Sequence, residues 1–395
     1  MDNRVDRELR TELEARLREL ASFPRPSASE GERRAAELIA GWLREDGCEV
    51  SVESVPAHGG YWWPLGLPNS VALVAALATR GRRSLAAAVL AAAAAAAIAD
   101  DVGGGRLWFR RVLPRRRAWN VVAHAGDPAA ERTLVLIAHH DAAHSGLVFH
   151  PGIASSLARR FPRAHERSTQ AFPIMYTVWI GPVLIGLGAL LGRRWPRRLG
   201  LLFAAGATTA MADIGRSVVV PGANDNLSAV VTVLAVARSL AERPQPGLSV
   251  LLLSNGAEES FMEGMRGFMA AHGHELDREH TEFLCLECLG GPYLQLIEGE
   301  GMLHMRDYSP ELREAVVDAA RRAGVAMRRR LRTVAATDGL IPLRAGYRVA
   351  TLASIDFTKL PANYHWPSDA PDNLDWSTIG DAIAVCEELI RGPGR

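Results

Sequence analysis

Three short apolar runs in this chain stop at acid or imidazole side chains. Residues 134–138 lead straight into His139, His140 and Asp141. Residues 248–254 lead, after a short turn, into Glu258 and Glu259. Residues 282–288 enclose Glu287. Apolar runs of about five to seven residues are too short for a stable helix and suit strands, and continuous rather than alternating hydrophobicity means both faces are covered. Strands of that kind form parallel sheets between helical layers. Ligands of such sheets gather at the strands' carboxyl ends.

The remainder of the sequence is read around that sheet. Residues 4–21 form an amphipathic helix with Val5, Leu9, Leu13, Leu17 and Leu20 at helical spacing. Ser29 and Glu32 have the form of a capping box ahead of a second helix over 33–46. Alternation marks a strand at 48–55, and strands follow at 119–124 and 133–138. Helices are expected at 228–240, 264–272, 311–323 and 379–390, with a further strand at 349–355. The expected fold is α/β, a three-layer sandwich around a mostly parallel mixed sheet. One domain covers residues 1–395, and no internal repeat is visible.

Two apolar blocks, 61–102 and 171–213, interrupt this pattern. Within them, segments 61–79 and 85–99 flank the basic turn Arg80 to Arg83, and segments 171–191 and 199–212 flank a basic turn from Arg193 to Arg198. Each block reads as an inserted helical hairpin. A bilayer span needs ~20 apolar residues, which 171–191 supplies, whereas 85–99 and 199–212 are short. Trp62, Trp63, Trp179 and Trp195 suit interfacial anchors. A membrane partner is therefore expected. Arginines also crowd the opposite ends of the hairpins, at Arg106, Arg110, Arg111 and Arg115 to Arg117, and at Arg159, Arg160, Arg163 and Arg167. That excess favours a cytoplasmic catalytic domain. The first ten residues carry no apolar segment and are not read as a signal peptide.

The charge balance, 45 basic against 44 acidic residues, excludes the basic face that nucleic acid requires. The four cysteines, Cys48, Cys285, Cys288 and Cys386, are too few and scattered for a disulfide framework. Cys285 and Cys288 have zinc or redox spacing, but they lie in an apolar run without a second pair and are read as buried strand residues. His272, His274 and His280 resemble a zinc helix only superficially. His274 and His280 are six apart rather than four, so a helix would turn them to different faces. They are read as surface residues.

Taken singly, most candidate site residues have ordinary explanations. His139 and Asp141 point the same way from a strand, and a carboxylate that orients a histidine is common beside zinc. They would also suit a surface loop. Gly222 to Ser228 reads as a turn and helix cap, which accounts for Asn224, Asn226 and Ser228 but not for Asp225. Glu258 and Glu259 repel each other unless a cation or proton intervenes, or sit at a solvated helix start. His365 lies in a polar loop with Asp369. Glu287 stands out alone, as an acid inside an apolar strand.

In this order, the five signals resemble peptidase family M28, the zinc aminopeptidases of the aminopeptidase Y and bacterial leucyl aminopeptidase group. The resemblance covers 119–145 and 218–380 in register, and 10–55 loosely. It rests on His139 with Asp141, on Gly222 to Ser228, on Glu258-Glu259 with Gly264 and Phe268, on Glu287, and on Tyr364, His365 and Asp369. Thr337, Asp338 and Gly339 resemble the family's turn before its last strand. The resemblance implies two zinc ions bridged by Asp225, with His139 and Glu287 on one and Glu259 and His365 on the other. It implies that Asp141 orients His139, that Glu258 is the general base, and that the substrate is a peptide.

The chain departs from the family at Ala229, where glycine is usual, and at Glu287, where aspartate is common. The interval from Asp141 to Asp225, 84 residues, is longer than usual and holds the second hairpin. Two other readings compete. One is a glutaminyl-cyclase-like acyltransferase with a single zinc. The other is a non-catalytic, peptidase-like membrane scaffold.

Overall fold

The computed structural model describes residues 6–79, 84–170 and 176–392. Its frame is a nine-stranded sheet. The strands are β1 (Glu49–Ala57), β2 (Arg116–Gly126), β3 (Thr133–His139), β4 (Ser249–Asn255), β5 (Thr281–Glu287), β6 (Tyr293–Glu300), β7 (Arg306–Asp307), β8 (Arg328–Thr333) and β9 (Arg348–Ile355). They lie in the order β1-β2-β4-β3-β5-β9-β6-β7, with β8 against β6. The central strands β4, β3, β5 and β9 are parallel. Antiparallel pairs flank them. From β3 the chain goes to β4 on one side and returns later as β5 on the other. A crevice opens beyond the strand ends where the order reverses in this way.

The helices in chain order are α1 (Arg7–Ala21), α2 (Glu30–Glu45), α3 (Trp62–Ala78), α4 (Leu85–Val102), α5 (Pro151–Arg160), α6 (Pro162–Arg167), α7 (Tyr176–Leu191), α8 (Arg194–Ile214), α9 (Ser228–Glu242), α10 (Glu263–His272), α11 (Pro310–Arg322), α12 (Leu340–Arg344) and α13 (Trp376–Arg391). Leu134, Leu136 and Ala138 of β3 pack into the layer of α1, α2, α9, α11 and α13. Val135 and Ile137 face the other way, towards α10, α12 and the inner ends of α3, α4 and α8. Alternate residues thus enter two cores, which is why the run is continuously apolar. The fold is the expected three-layer α/β sandwich. Strands β6, β7 and β8 and helices α5 and α6 were not anticipated. β8 is a basic edge strand with little apolar signal, as unpaired edges favour.

α3, α4, α7 and α8 form a four-helix bundle in which neighbours pack α3–α4–α7–α8 and α8 closes on α3. The anticipated turn at 80–83 and the start of the second block at 171–175 lie outside the described residues. Arg194 to Arg198 do not form a tip turn, because α8 begins at Arg194 and carries them on its first turns. Early helix onset also lengthens the segment read as 199–212 to 21 residues. α4, with 18 residues, is long and apolar enough to cross a membrane by length and composition; α3 and α7 are shorter apolar helices.

The bundle's interior is built from Ala72, Ala76, Ala91, Ala94 and Ala204 around Ile185. Many of its large apolar side chains point outwards: Val74, Leu77, Leu85, Leu190 and Trp195 are each more than half exposed. At Gly200 a Cβ would fall 2.7 Å from the backbone nitrogen of Ile185, so α7 and α8 touch backbone to backbone. Asn69 donates from Nδ2 to the carbonyls of Leu65 and Val178, at 2.9 and 3.0 Å.

Candidate metal centre

β3 ends at His139, and the turn after it places Asp141 on the same side. His139 Nδ1 lies 3.3 Å from Asp141 Oδ1. His140 points away, and its Nδ1 meets Ser254 Oγ at 2.9 Å. Burial lowers the His140 pKa to about 3, which keeps that imidazole neutral. Asp141 does more than orient a histidine. Its Oδ1 accepts from the Glu258 backbone N–H at 3.1 Å, and its Oδ2 accepts from that of Glu259 at 3.1 Å and from Ser27 Oγ at 2.6 Å. One carboxylate therefore fixes both the first strand end and the glutamate pair.

Asp225 sits in a loop between β3 and β4, pinned from two sides. Asp369 accepts from the backbone N–H of Asn224 at 2.6 Å and of Asp225 at 3.1 Å. Asn226 donates to Leu286 O and accepts from Cys288 N–H, both at 2.9 Å, so it brackets Glu287. Asn224 Oδ1 and Ser228 Oγ accept from Gly290 and Leu289 N–H. Capping was the sequence-based explanation for these three polar residues, and the structure corrects it. α9 has no side-chain cap bond, and the three residues clip the Asp225 loop to the end of β5. Gly222 has φ +59°, and a Cβ there would lie 2.6 Å from Asp225 O, so the turn requires glycine.

The seven residues singled out in the sequence converge. Asp225 Oδ1 lies 3.2 Å from His139 Nε2, which is also 3.3 Å from Glu287 Oε1. Asp225 Oδ2 lies 3.3 Å from His365 Nε2, which is 3.2 Å from Glu259 Oε2. Glu258 Oε2 stands 3.9 Å from His139 Nε2, and its side chain keeps 12% of its surface accessible. Ligands held at ~2.0–2.1 Å by one tetrahedral zinc are separated by about 3.3 Å, which is the spacing found here. Glu259 Oε1 is buried and has no hydrogen-bond partner. The donor set of imidazole and carboxylate suits zinc. Cys288 also approaches, within the group formed by Asp225 and Glu287. Burial raises its thiol pKa well above the usual value.

The electrostatics favour a cation. Burial pushes the Glu258 carboxyl well up, aided by Glu259 and Glu287 and opposed by His139. Burial also raises Glu259 and Glu287. Burial opposes protonation of His365, yet Glu259 and Asp225 outweigh it and raise its pKa to about 10. His274 and His280, by contrast, are exposed and paired with nearby acids, and His272 pairs with Glu53. They take no part in the cluster.

Two supporting residues escaped the sequence reading. Arg25 is fully buried and donates to Pro221 O at 2.6 Å, His140 O at 2.7 Å and Gly222 O at 2.8 Å, strapping the two ligand-bearing loops together. Glu32 completes only half of the expected capping box. Ser29 Oγ accepts from Glu32 N–H as anticipated, but the Glu32 carboxylate turns inward to accept from Ala28, Trp119 and Ala257 N–H. Local sequence gives no sign of either role, because the partners lie far along the chain.

The bundle abuts this centre. Asp101 at the end of α4 pairs with buried Arg110, which donates to Ser260 O at 2.9 Å, just past Glu259. Tyr61 stacks on Phe261 with ring centroids 5.0 Å apart. Phe149, between the two hairpins, packs edge-on against His365 at 4.6 Å.

Residues 208–390 match the model of peptidase family M28. No curated protein matches the chain. Solved structures share its fold along nearly its whole length. A glutaminyl cyclase from Bacteroides thetaiotaomicron, bound to N-acetylhistamine, aligns with TM-score 0.57 and 15% identity over 97% of each chain. A leucine aminopeptidase precursor from Bacteroides thetaiotaomicron VPI-5482 aligns with TM-score 0.56 and 15% identity, over 97% of this chain and 96% of that one. An aminopeptidase from Aneurinibacillus sp. strain AM-1 aligns with TM-score 0.54 and 14% identity, over 98% and 94%. The fold, the ligand geometry and the match of residues 208–390 to peptidase family M28 agree, and together they support a zinc metallopeptidase.

Proposed function

We propose that the chain removes N-terminal residues from peptides with two zinc ions, at a membrane into which its bundle inserts. The observation that carries the reading is the placement of Asp225. Its two oxygens face opposite pairs, His139 with Glu287 and His365 with Glu259. A bridging carboxylate between two histidine–glutamate pairs suits two ions. A glutaminyl cyclase would need only one of these halves.

When bound here, zinc would supply polarisation of the scissile carbonyl and a lowered pKa for water. Glu258 is positioned for proton transfer. Its carboxylate would take a proton from the attacking water and pass it to the leaving amine. Asp141 holds the Glu258 and Glu259 backbone through both N–H groups. His139, Glu259, Glu287 and His365 would hold the ions.

Membrane insertion is supported by the inverted packing of the bundle. Small residues inside and large apolar residues outside are what lipid-facing bundles require, whereas water favours the reverse. Arg159, Arg160, Arg163 and Arg167 beside the second hairpin support a cytoplasmic catalytic domain.

The test is zinc content of the purified protein together with hydrolysis of aminoacyl para-nitroanilides. Near two zincs per chain, with Glu258→Gln retaining metal but losing ~10²–10⁴ in kcat, is the expected result. One zinc with pyroglutamate formation from N-terminal glutamine would favour the cyclase. Release of the protein by carbonate without detergent would refute the membrane reading.

A further inference from the structure

One cavity of about 530 Å³ joins the catalytic end of the molecule to the bundle. At one end it is lined by Glu258, Glu259, His365 and Tyr364. From there it follows α8, whose lining residues run from Ile214 back to Leu202. Twelve helical steps span ~18 Å, well beyond the reach of one ordinary side chain.

The chemistry of this channel is one-sided. Every α8 residue in the lining is apolar, including Leu202, Phe203, Gly206, Ala210 and Met211. The rest of the lining is mixed: Val148, Ile153 and Leu157 are apolar, whereas Ser155, Thr333, Thr358 and Asn363 are polar. An extended peptide filling ~18 Å would bring about five residues. Its buried N–H and C=O groups would each need a partner, and the α8 wall offers none. A hydrocarbon chain needs none. The channel's outer end also lies among exposed apolar side chains. Leu202 is 69% exposed on the bundle, and Ile153 and Phe161 on α5 and beside it are exposed as well. Arg159 and Arg160 close the last turn of α5. An apolar and basic surface of this kind suits the interface of a bilayer.

We infer that the substrate carries a long linear hydrocarbon chain on the acyl side of the scissile amide, lying along α8 while the carbonyl reaches the metal centre. The inference rests on the amide-hydrolase reading above. Water adds to the carbonyl carbon, the C–N bond breaks, the carboxylate keeps the chain, and the amine leaves with the proton carried by Glu258. Two sources present this chemistry: an N-terminal residue with a long apolar side chain and a free amine, or a fatty acyl group on an amino acid.

Two matched series of para-nitroanilides distinguish them, one of 2-aminoalkanoyl and one of simple alkanoyl compounds, each from butanoyl to hexadecanoyl length and used below aggregation. In at least one series kcat/KM should rise with length, by up to about fourfold per added methylene, and the series that rises identifies the source. Gly206 has open space where its Cβ would stand, so Gly206→Leu fills the channel without a backbone clash and Gly206→Ala fills it partly. The long-to-short ratio should collapse in the first and fall less in the second. Hydrolysis that is flat or falling with length in both series overturns the inference and leaves the peptidase reading intact.

A second readout does not depend on bound metal. A long-chain acyl-glycine with a mid-chain diazirine, photolysed with the metal-free protein in membranes, should label residues 202–214, and Gly206→Leu should abolish that labelling. Labelling spread evenly over the outer faces of the bundle overturns the inference even if no nitroanilide is cleaved.

Discussion

Replacing Asp141 by asparagine exchanges one acceptor oxygen for an NH2 group in a carboxylate that serves four neighbours. Oδ1 faces Glu258 N–H and His139 Nδ1, and Oδ2 faces Glu259 N–H and Ser27 Oγ. Ser27 can turn its hydroxyl to accept, but the two backbone N–H groups cannot. In either amide orientation, one buried N–H meets another donor, at a cost of about 1–3 kcal/mol. The negative charge that supports His139 is lost as well. A change of this kind beside a metal ligand weakens binding by about 10–100-fold, or ~1.4–2.7 kcal/mol. Competition with a chromophoric chelator measures the zinc affinity, and thermal unfolding of the metal-free protein measures the structural part. Ser27→Ala, which removes one partner and leaves the charge, should show the smaller effect on both. Zinc affinity of the Asp141→Asn protein within about threefold of the parent would refute the positioning argument.

Two further outcomes follow from buried groups near the centre. Arg25→Met leaves the carbonyls of His140, Pro221 and Gly222 without their charged donor and should cost about 3–5 kcal/mol in unfolding experiments; a loss below ~1 kcal/mol would mean that the strap is dispensable. Glu300 is fully buried, and burial raises its pKa from 4.5 to about 8, against hydrogen bonds from Tyr308 and Thr337. A folded-state pKa above the unfolded one means that the folded chain holds the proton more tightly, so this contribution is present below pH 4.5 and is lost as pH rises towards 8. Glu300→Gln does not titrate, so its stability relative to the parent should increase by about 3–5 kcal/mol between pH 5 and 9. A constant difference across that range would remove the assigned shift.

The sequence by itself determined the parallel core and marked the polar residues that gather at its strand ends. A strand covered on both faces must be apolar at every position, so β3, β4 and β5 announce themselves, and the polar groups at their ends have only the crevice to enter. Glu287 was conspicuous for the same reason. The helical blocks were equally legible, since no other segments concentrate alanine and leucine so heavily. Tertiary structure alone decided how these pieces serve each other. Asn224, Asn226 and Ser228 look like local caps and act as clips on β5, because hydrogen bonds to a distant strand end leave no trace in local spacing. Arg25 and Glu32 are ordinary charged residues of a loop and a helix start until the chain folds over them. Basic β8 showed no strand pattern because its edge faces solvent. The apolar channel could not be read at all. Its walls come from segments near residues 150, 210, 260 and 365, and only packing the bundle against the sheet brings these separate surfaces together into one cavity that ends at the candidate metal centre.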